Sequence, residues 1–377
     1  MTLKKIFDYL AWPVACGLLI ALFFLVFSKQ ITPLLSPALA NVTNNLPGTG
    51  PVSYADAVKK TAPAVVNIFT QRRVANQTNP LVNDPLFRHF YNNSNIPQQE
   101  RLQSSLGSGV IMNPEGYILT NHHVINGADQ IVALLTDGRE AQARVIGTDP
   151  DTDLAVLKIN LDNLQAIPIG DPSKARVGDV VLAIGNPFGV GQTVTQGIIS
   201  AVGRYGLGIN TFENYLQTDA AINPGNSGGA LIDARGNLIG INTAILDKTG
   251  FSVGISFAVP IDMALRTLKD IAEHGNVIRG WIGVEAQKMT PQLARNLGLD
   301  INLGVIVTAV YKESPAYKVG IRPGDIITDL NGIALGDGRK GVQFIEQSRP
   351  GDSITLGIQR GLQKTEVKLV MAAQPSR

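Results

Sequence analysis

The segment Asn223-Pro224-Gly225-Asn226-Ser227-Gly228-Gly229-Ala230-Leu231 sets one serine among small, turn-forming residues just before an apolar run. Glycines let backbone N–H groups converge where a side-chain-bearing loop would be blocked. A serine beside convergent donors has what acyl transfer needs, a nucleophile and an oxyanion hole. The same composition also makes ordinary turns, so the chemistry depends on partners elsewhere in the chain. A base for the hydroxyl must come from His89, His122, His123 or His274. His89 sits in a polar stretch. His274 sits at a helix end, where a cation complements the dipole; both read as surface residues. His122 and His123 end the run 117–121, and in extended chain they face opposite ways, so only one can meet a serine. Periodicity does not choose between them. The imidazole then needs a carboxylate to fix its tautomer. Asp149 and Asp151 flank Pro150 and read as turn residues. Asp153 abuts the apolar run 154–157, is expected to be partly buried, and therefore requires a partner.

The elements that must position these residues are mostly strands. Short apolar runs punctuated by turn residues fall at 64–70, 110–112, 117–120, 131–135, 155–159, 180–184, 198–202, 230–232, 238–241 and 255–259. That spacing predicts an all-β barrel or sandwich architecture, divisible into two similar barrels with a break near 161–175. Residues 54–60 predict one short helix. Residues 71–105, rich in Asn, Gln and Pro, read as a functional or partly disordered loop. Residues 261–274 predict an amphipathic helix closing the domain, with Pro260 at its start and Gly275 past its end. A second strand-rich unit follows over 280–374.

The bulk properties narrow the class. Gly numbers 39 and charged residues are 16% of 377, which favours a strand-and-turn-rich globular protein. A net charge of +2, with no Lys/Arg block, gives no nucleic-acid footprint. Cys16 is the only cysteine, so no intrachain disulfide exists. The histidines and carboxylates lack metal-ligand spacing, and neither a metal nor a cofactor is expected. Residues 9–27 are nineteen positions without a charge, about the length that crosses a bilayer as a helix. Ala38-Leu39-Ala40 looks like a cleavage site but lies far beyond that run, so an uncleaved anchor is expected. Lys4 and Lys5 before the span keep the N-terminus in the cytoplasm and send the bulk across the membrane. Residues 30–53 then read as a tether.

Three motifs give the chain a close resemblance to the HtrA (Deg) family of serine proteases over residues 54–374. They are Thr120-Asn121-His122-His123-Val124, Asp151-Thr152-Asp153-Leu154-Ala155-Val156 and Gly225-Asn226-Ser227-Gly228-Gly229. Their order, His then Asp then Ser, is that of chymotrypsin-like double β-barrels. The resemblance resolves the histidine tie, because the family's base directly precedes Val: it implies His123 as base and leaves His122 in an exposed, variable slot. It further implies Asp153 as orienting acid, Ser227 as nucleophile, and the N–H groups of Gly225 and Ser227 as oxyanion hole. The unit after the closing helix resembles that family's PDZ domain, which captures C-terminal peptides as an added strand. Trp281, Ile282, Gly283 and Val284 match its carboxylate-binding loop. Arg204, in the Gly-rich segment 202–210, matches a regulatory position that carries the PDZ signal.

The expected organisation is a short cytoplasmic N-terminus (1–8), a transmembrane anchor (9–28), a linker (29–53), a trypsin-like protease domain (54–275) and one PDZ domain (280–374). An anchor with a single PDZ resembles the DegS subgroup. That implies a homotrimeric inner-membrane protease facing the periplasm, cutting a membrane-spanning anti-sigma factor when C-terminal peptides of misfolded outer-membrane proteins bind its PDZ. Uncharged Ala220-Ala221-Ile222 favour cleavage after small or apolar side chains. A general quality-control protease and a non-catalytic PDZ adaptor are the alternatives; the complete His123–Asp153–Ser227 set argues against the second.

Overall fold

The structure, a computed structural model, describes residues 12, 14–23, 53–74, 101–186, 191–245, 253–298, 304–336 and 338–375. His89, the linker and much of the expected anchor lie outside them. Residues 12 and 14–23 are helical with exposed side chains, and among the described residues no helix is long and apolar enough to cross a membrane.

From Ala55 onward the chain forms one compact unit. It begins with α1 (Ala55–Thr61) and then builds a seven-stranded sheet. Its strands are β1 (Val65–Val74), β2 (Arg101–Ile111), β3 (Tyr117–Asn121), β4 (Gln130–Leu134), β5 (Glu140–Gln142), β6 (Arg144–Asp149) and β7 (Leu154–Lys158), in the order β5-β4-β1-β2-β3-β7-β6. The two edge strands, β5 and β6, are separated in sequence by Ala143 alone, so the sheet must curl almost into a barrel. A closed six-stranded barrel follows. It comprises β8 (Val180–Gly185), β9 (Thr193–Arg204), β10 (Tyr215–Thr218), β11 (Ala230–Asp233), β12 (Leu238–Ile245) and β13 (Ser256–Pro260). Its core packs Val181, Ala183, Ile199, Leu216, Ile222, Leu231 and Ile239. Each large aliphatic side chain buried there contributes about 1.5–3 kcal/mol.

Each of the ten apolar runs between 64 and 259 falls mainly on a strand. The stretch 71–105 departs from expectation. β1 and β2 stay paired out to Val74↔Arg101, so a polar ribbon extends from the sheet on both sides of residues 75–100. Backbone pairing sustains it where apolar alternation does not.

The helix over Ile261–His274 runs as punctuated, ending on Gly275 at φ +79°. Past it, β14 (Gly280–Trp281) pairs with β21 (Ala372–Ala373). The remaining sheet has β15 (Val284–Lys288), β16 (Val305–Val310), β17 (Ile326–Leu330), β19 (Ser353–Arg360) and β20 (Gln363–Val370) in that order, with β18 (Ile333–Ala334) on β17. Ile282, Val307, Ile321, Leu356 and Ile358 form its separate core.

Candidate active site

Strand register brings the histidine and aspartate together. β3 pairs antiparallel with β7 up to Asn121↔Leu154, so one step further sets His122 opposite Asp153. There the chain turns into α2 (His122–Ile125). A helix start leaves backbone N–H groups without partners, and Asp153 satisfies two of them. Its carbonyl accepts from His122 N at 3.1 Å and its Oδ1 from His123 N at 2.9 Å. The carbonyl also accepts from Asn121 Nδ2 at 2.9 Å. Asp153 manages this at φ +58°, a region that Asp tolerates better than most side chains. Its Oδ2 lies 2.6 Å from His123 Nδ1 and accepts from Thr243 Oγ1 at 2.7 Å. Burial pushes the Asp153 carboxyl up, but hydrogen bonds and charge from His123, with Thr243 adding to them, outweigh it and hold the pKa below the usual value. The group stays ionised and locks one imidazole orientation.

Two details differ from the sequence expectation. His122 is half-buried and its Nδ1 is sealed from solvent, whereas the His123 side chain is 50% exposed. The short helix, unlike a strand, turns the second histidine outward. Burial also fails to single out Asp153: Asp149, read as a turn residue, is 4% exposed against 9%. It forms a bidentate pair with Arg279 at 2.9 and 2.6 Å and accepts from Thr152. The true discriminator is register.

Ser227 comes from the second barrel. Gly228 N donates to Asn242 O at 2.8 Å and Asn242 N to Gly229 O at 2.9 Å, extending the β11–β12 pairing and setting Ser227 beside Thr243. Ser227 Oγ donates to Thr243 O at 3.3 Å; no hydrogen bond joins it to His123. Gly228, at φ +80°, admits no other residue, since a Cβ there would lie 2.2 Å from Ser108 O. Asn226 N donates to Asn223 O at 2.9 Å across Pro224 and Gly225, the latter at φ +103°. Pro at the second position and a positive-φ glycine at the third make this a type II turn. Neither Gly225 N nor Ser227 N donates to any protein acceptor among the described residues. Both remain available to a ligand oxygen.

Sequence reasoning missed two residues here, Thr243 and Ser108. Ser108 Oγ donates to Gly225 O at 2.6 Å and accepts from Asn186 N at 3.0 Å, while Ser108 N donates to Ser227 O at 2.8 Å. Neither carries a sequence signal, because Thr243 meets Asp153 across 90 residues and Ser108 meets Gly225 across 117.

Arg204 ends β9, its Nε donating to Gln217 Oε1 at 2.8 Å. The loop after it is tied down by Glu213, whose carboxylate accepts from Leu207, Ile209 and Asn210 N–H at 2.6, 2.6 and 3.2 Å. Of the expected peptide-binding loop, Trp281 meets Tyr311 with ring centroids 5.6 Å apart and planes tilted by 54°, and Ile282 is buried. Gly283, at φ +81°, passes so close to Ser314 that a Cβ would sit 2.1 Å from that residue's own. Ile282 and Gly283 accept at their carbonyls from Ala316 and Tyr311. Val284 opens β15, which pairs only with β16 among the described residues and so presents an open edge.

A model of the trypsin-like peptidase domain matches residues 107–241, and a PDZ domain model matches 306–360. The periplasmic pH-dependent serine endoprotease DegQ of Escherichia coli (strain K12) is 41% identical over 342 residues, covering 90% of this chain and 74% of DegQ. A probable periplasmic serine endoprotease, DegP-like, of Marinomonas sp. (strain MWYL1) is 39% identical over 337 residues, covering 86% and 72%. Among solved structures, the HtrA-type protease AlgW with decapeptide superposes with TM-score 0.74 at 52% identity, covering 86% of this chain and all of that one. The serine endoprotease from Yersinia pestis gives 0.63 at 38%, covering 87% and 100%.

Proposed function

This chain belongs to the HtrA family of serine proteases, a serine endopeptidase with one PDZ domain, and from that premise we propose a membrane-anchored, peptide-regulated periplasmic enzyme. One observation carries the catalytic part: Thr243 bridges the His123–Asp153 pair and Ser227, beside the Gly225 and Ser227 amides that donate to no protein acceptor among the described residues. Ser227 is the nucleophile, His123 the base and Asp153 the orienting acid.

The chemistry follows from these positions. At 3.3 Å the Ser227–Thr243 bond is weak, so a side-chain rotation releases Oγ toward His123 Nε2. His123 takes the hydroxyl proton as Oγ attacks the scissile carbonyl, and Asp153 stabilises the imidazolium. Charge on the tetrahedral oxygen is met by Gly225 and Ser227 N–H, each worth about 2.7–4 kcal/mol. His123 then returns the proton to the leaving amine, and water repeats the sequence on the acyl-enzyme.

The PDZ supplies regulation. The Ile282 and Gly283 N–H groups, which donate to no backbone acceptor among the described residues, suit a peptide carboxylate, and the β15 edge suits an added strand. Gly225 is the switch point: turning the Pro224–Gly225 peptide from type II to type I swings its N–H out of the hole. Peptide binding favours the formed hole by population shift, with Arg204 and its loop as relay. The apolar residues 9–28 anchor the chain in the inner membrane. A membrane-spanning anti-sigma factor is the substrate, misfolded outer-membrane proteins supply the peptides, and the working form is a homotrimer. The AlgW structures carrying a decapeptide support the peptide part of this reading.

The test is cleavage of an unfolded reporter by the full-length chain in detergent, with and without hydrophobic C-terminal peptides. Peptide-dependent turnover that vanishes in Ser227→Ala is expected. Equal rates with and without peptide remove the regulatory reading and point to a general quality-control protease. Full activity in Ser227→Ala removes the catalytic assignment.

A further inference from the structure

We infer that the Ser108 side chain is a positioning residue of the oxyanion loop, its hydroxyl aiming the Gly225 amide at the developing negative charge. This rests on reading Ser227 as the nucleophile. Ser108 is wholly buried on β2, in the sheet opposite to the loop it grips. Asn186 N–H is a donor only, so at 3.0 Å it occupies a lone pair of Oγ. The single hydroxyl proton is thereby directed to Gly225 O, 2.6 Å away. Ser108 N holds Ser227 O at 2.8 Å, and Ser108 O is itself fixed by Thr120 Oγ1 at 2.7 Å. One rigid strand residue thus clamps the carbonyls of Gly225 and Ser227, on either side of Asn226.

The backbone half of this clamp survives replacement by Ala, Thr or Val; the hydroxyl half survives only in Thr. Without it, Gly225 O and Asn186 N–H are both left unpaired in a dry site, a cost that the turn relieves by rotating. The freed Gly225–Asn226 peptide turns at the Gly225 Cα, and the adjoining Pro224–Gly225 peptide, which carries the Gly225 N–H, tilts with it away from the oxyanion while the ground-state substrate contacts stay. The loss therefore falls on kcat rather than KM. Deleting an oxyanion donor outright costs about 100–1,000-fold, so misaiming one is expected to cost about 10–100-fold.

The experiment compares full-length wild type with Ser108→Ala, and Ser108→Thr with Ser108→Val, in detergent with the activating peptide. Thr and Val have nearly the same shape, so their ratio reports the hydroxyl even where both disturb packing. Ser108→Ala is expected to lose about 10–100-fold in kcat with KM within about twofold, and Thr to exceed Val by a similar factor. A peptide boronate, which mimics the tetrahedral intermediate, should weaken in parallel. Wild-type kcat in Ser108→Ala, or equal kcat in Thr and Val, overturns the inference. Ser227→Ala is the control on the parent reading: if it turns over substrate, that reading fails whatever Ser108 does.

Discussion

Thr243 holds both halves of the candidate triad: its hydroxyl donates to Asp153 and its carbonyl accepts from Ser227. Thr243→Val removes the hydroxyl and keeps the shape. We expect kcat to drop about tenfold, in line with losing one charge-assisted bond of about 1.5 kcal/mol. The same change has a pH signature. Asp153 has a folded pKa below 3.8, so its ionisation stabilises the fold above that value, and the contribution is lost as pH falls through the lower folded value. With Thr243 gone the folded pKa moves back up and less stabilisation is available. The Tm gap between wild type and Thr243→Val is therefore widest above about pH 5 and narrows below pH 3.8, which calorimetry across that range reads directly. Gly228→Ala is harsher. Positive φ and contact with Ser108 O together predict a loss of about 2–4 kcal/mol in chemical denaturation.

At the scale of elements, ion pairs tie the protease sheets to the PDZ. Arg279, just before β14, is held by Asp149 at the end of β6 and lies 4.8 Å over the Phe212 ring. Burial alone lowers the Arg279 pKa, but Asp149 more than compensates and keeps the guanidinium charged. Arg279→Ala strands the Asp149 carboxylate in a dry site, and a loss of about 3–5 kcal/mol is expected. Adding Asp149→Leu should recover much of it; a double variant no more stable than the single would count against this account. Two more bidentate pairs, Arg266 with Glu346 and Arg349 with Asp270, join the closing helix to the PDZ. Little of this was legible in the sequence. Alternating or continuous apolar runs announced the core strands, and the Pro260–Gly275 punctuation announced the closing helix. Short β5, part-exposed β6 and brief β10 have too little apolar pattern to stand out. Arg279 sat unnoticed because its partner lies 130 residues away. The candidate triad was readable for a different reason: the glycine cluster marked Ser227 and the apolar run beside it marked Asp153, while His123 was separated from His122 only by the resemblance to a known family.

Taken whole, the molecule places its candidate nucleophile on one barrel and its base on the other sheet, with Ser108 and Thr243 as cross-ties. Under the proposed function, activity depends on how the two halves and the PDZ are held together, and that is the route by which peptide binding at the β15 edge is proposed to reach Gly225. The central claim is that Ser227, activated by His123, is the nucleophile. It is tested most directly by treating the full-length chain with a fluorophosphonate and mapping the adduct by mass spectrometry. The account predicts a single adduct on Ser227 that is lost in His123→Ala and strongly slowed in Asp153→Asn. Labelling that persists undiminished in His123→Ala, or that falls on another residue, would contradict it.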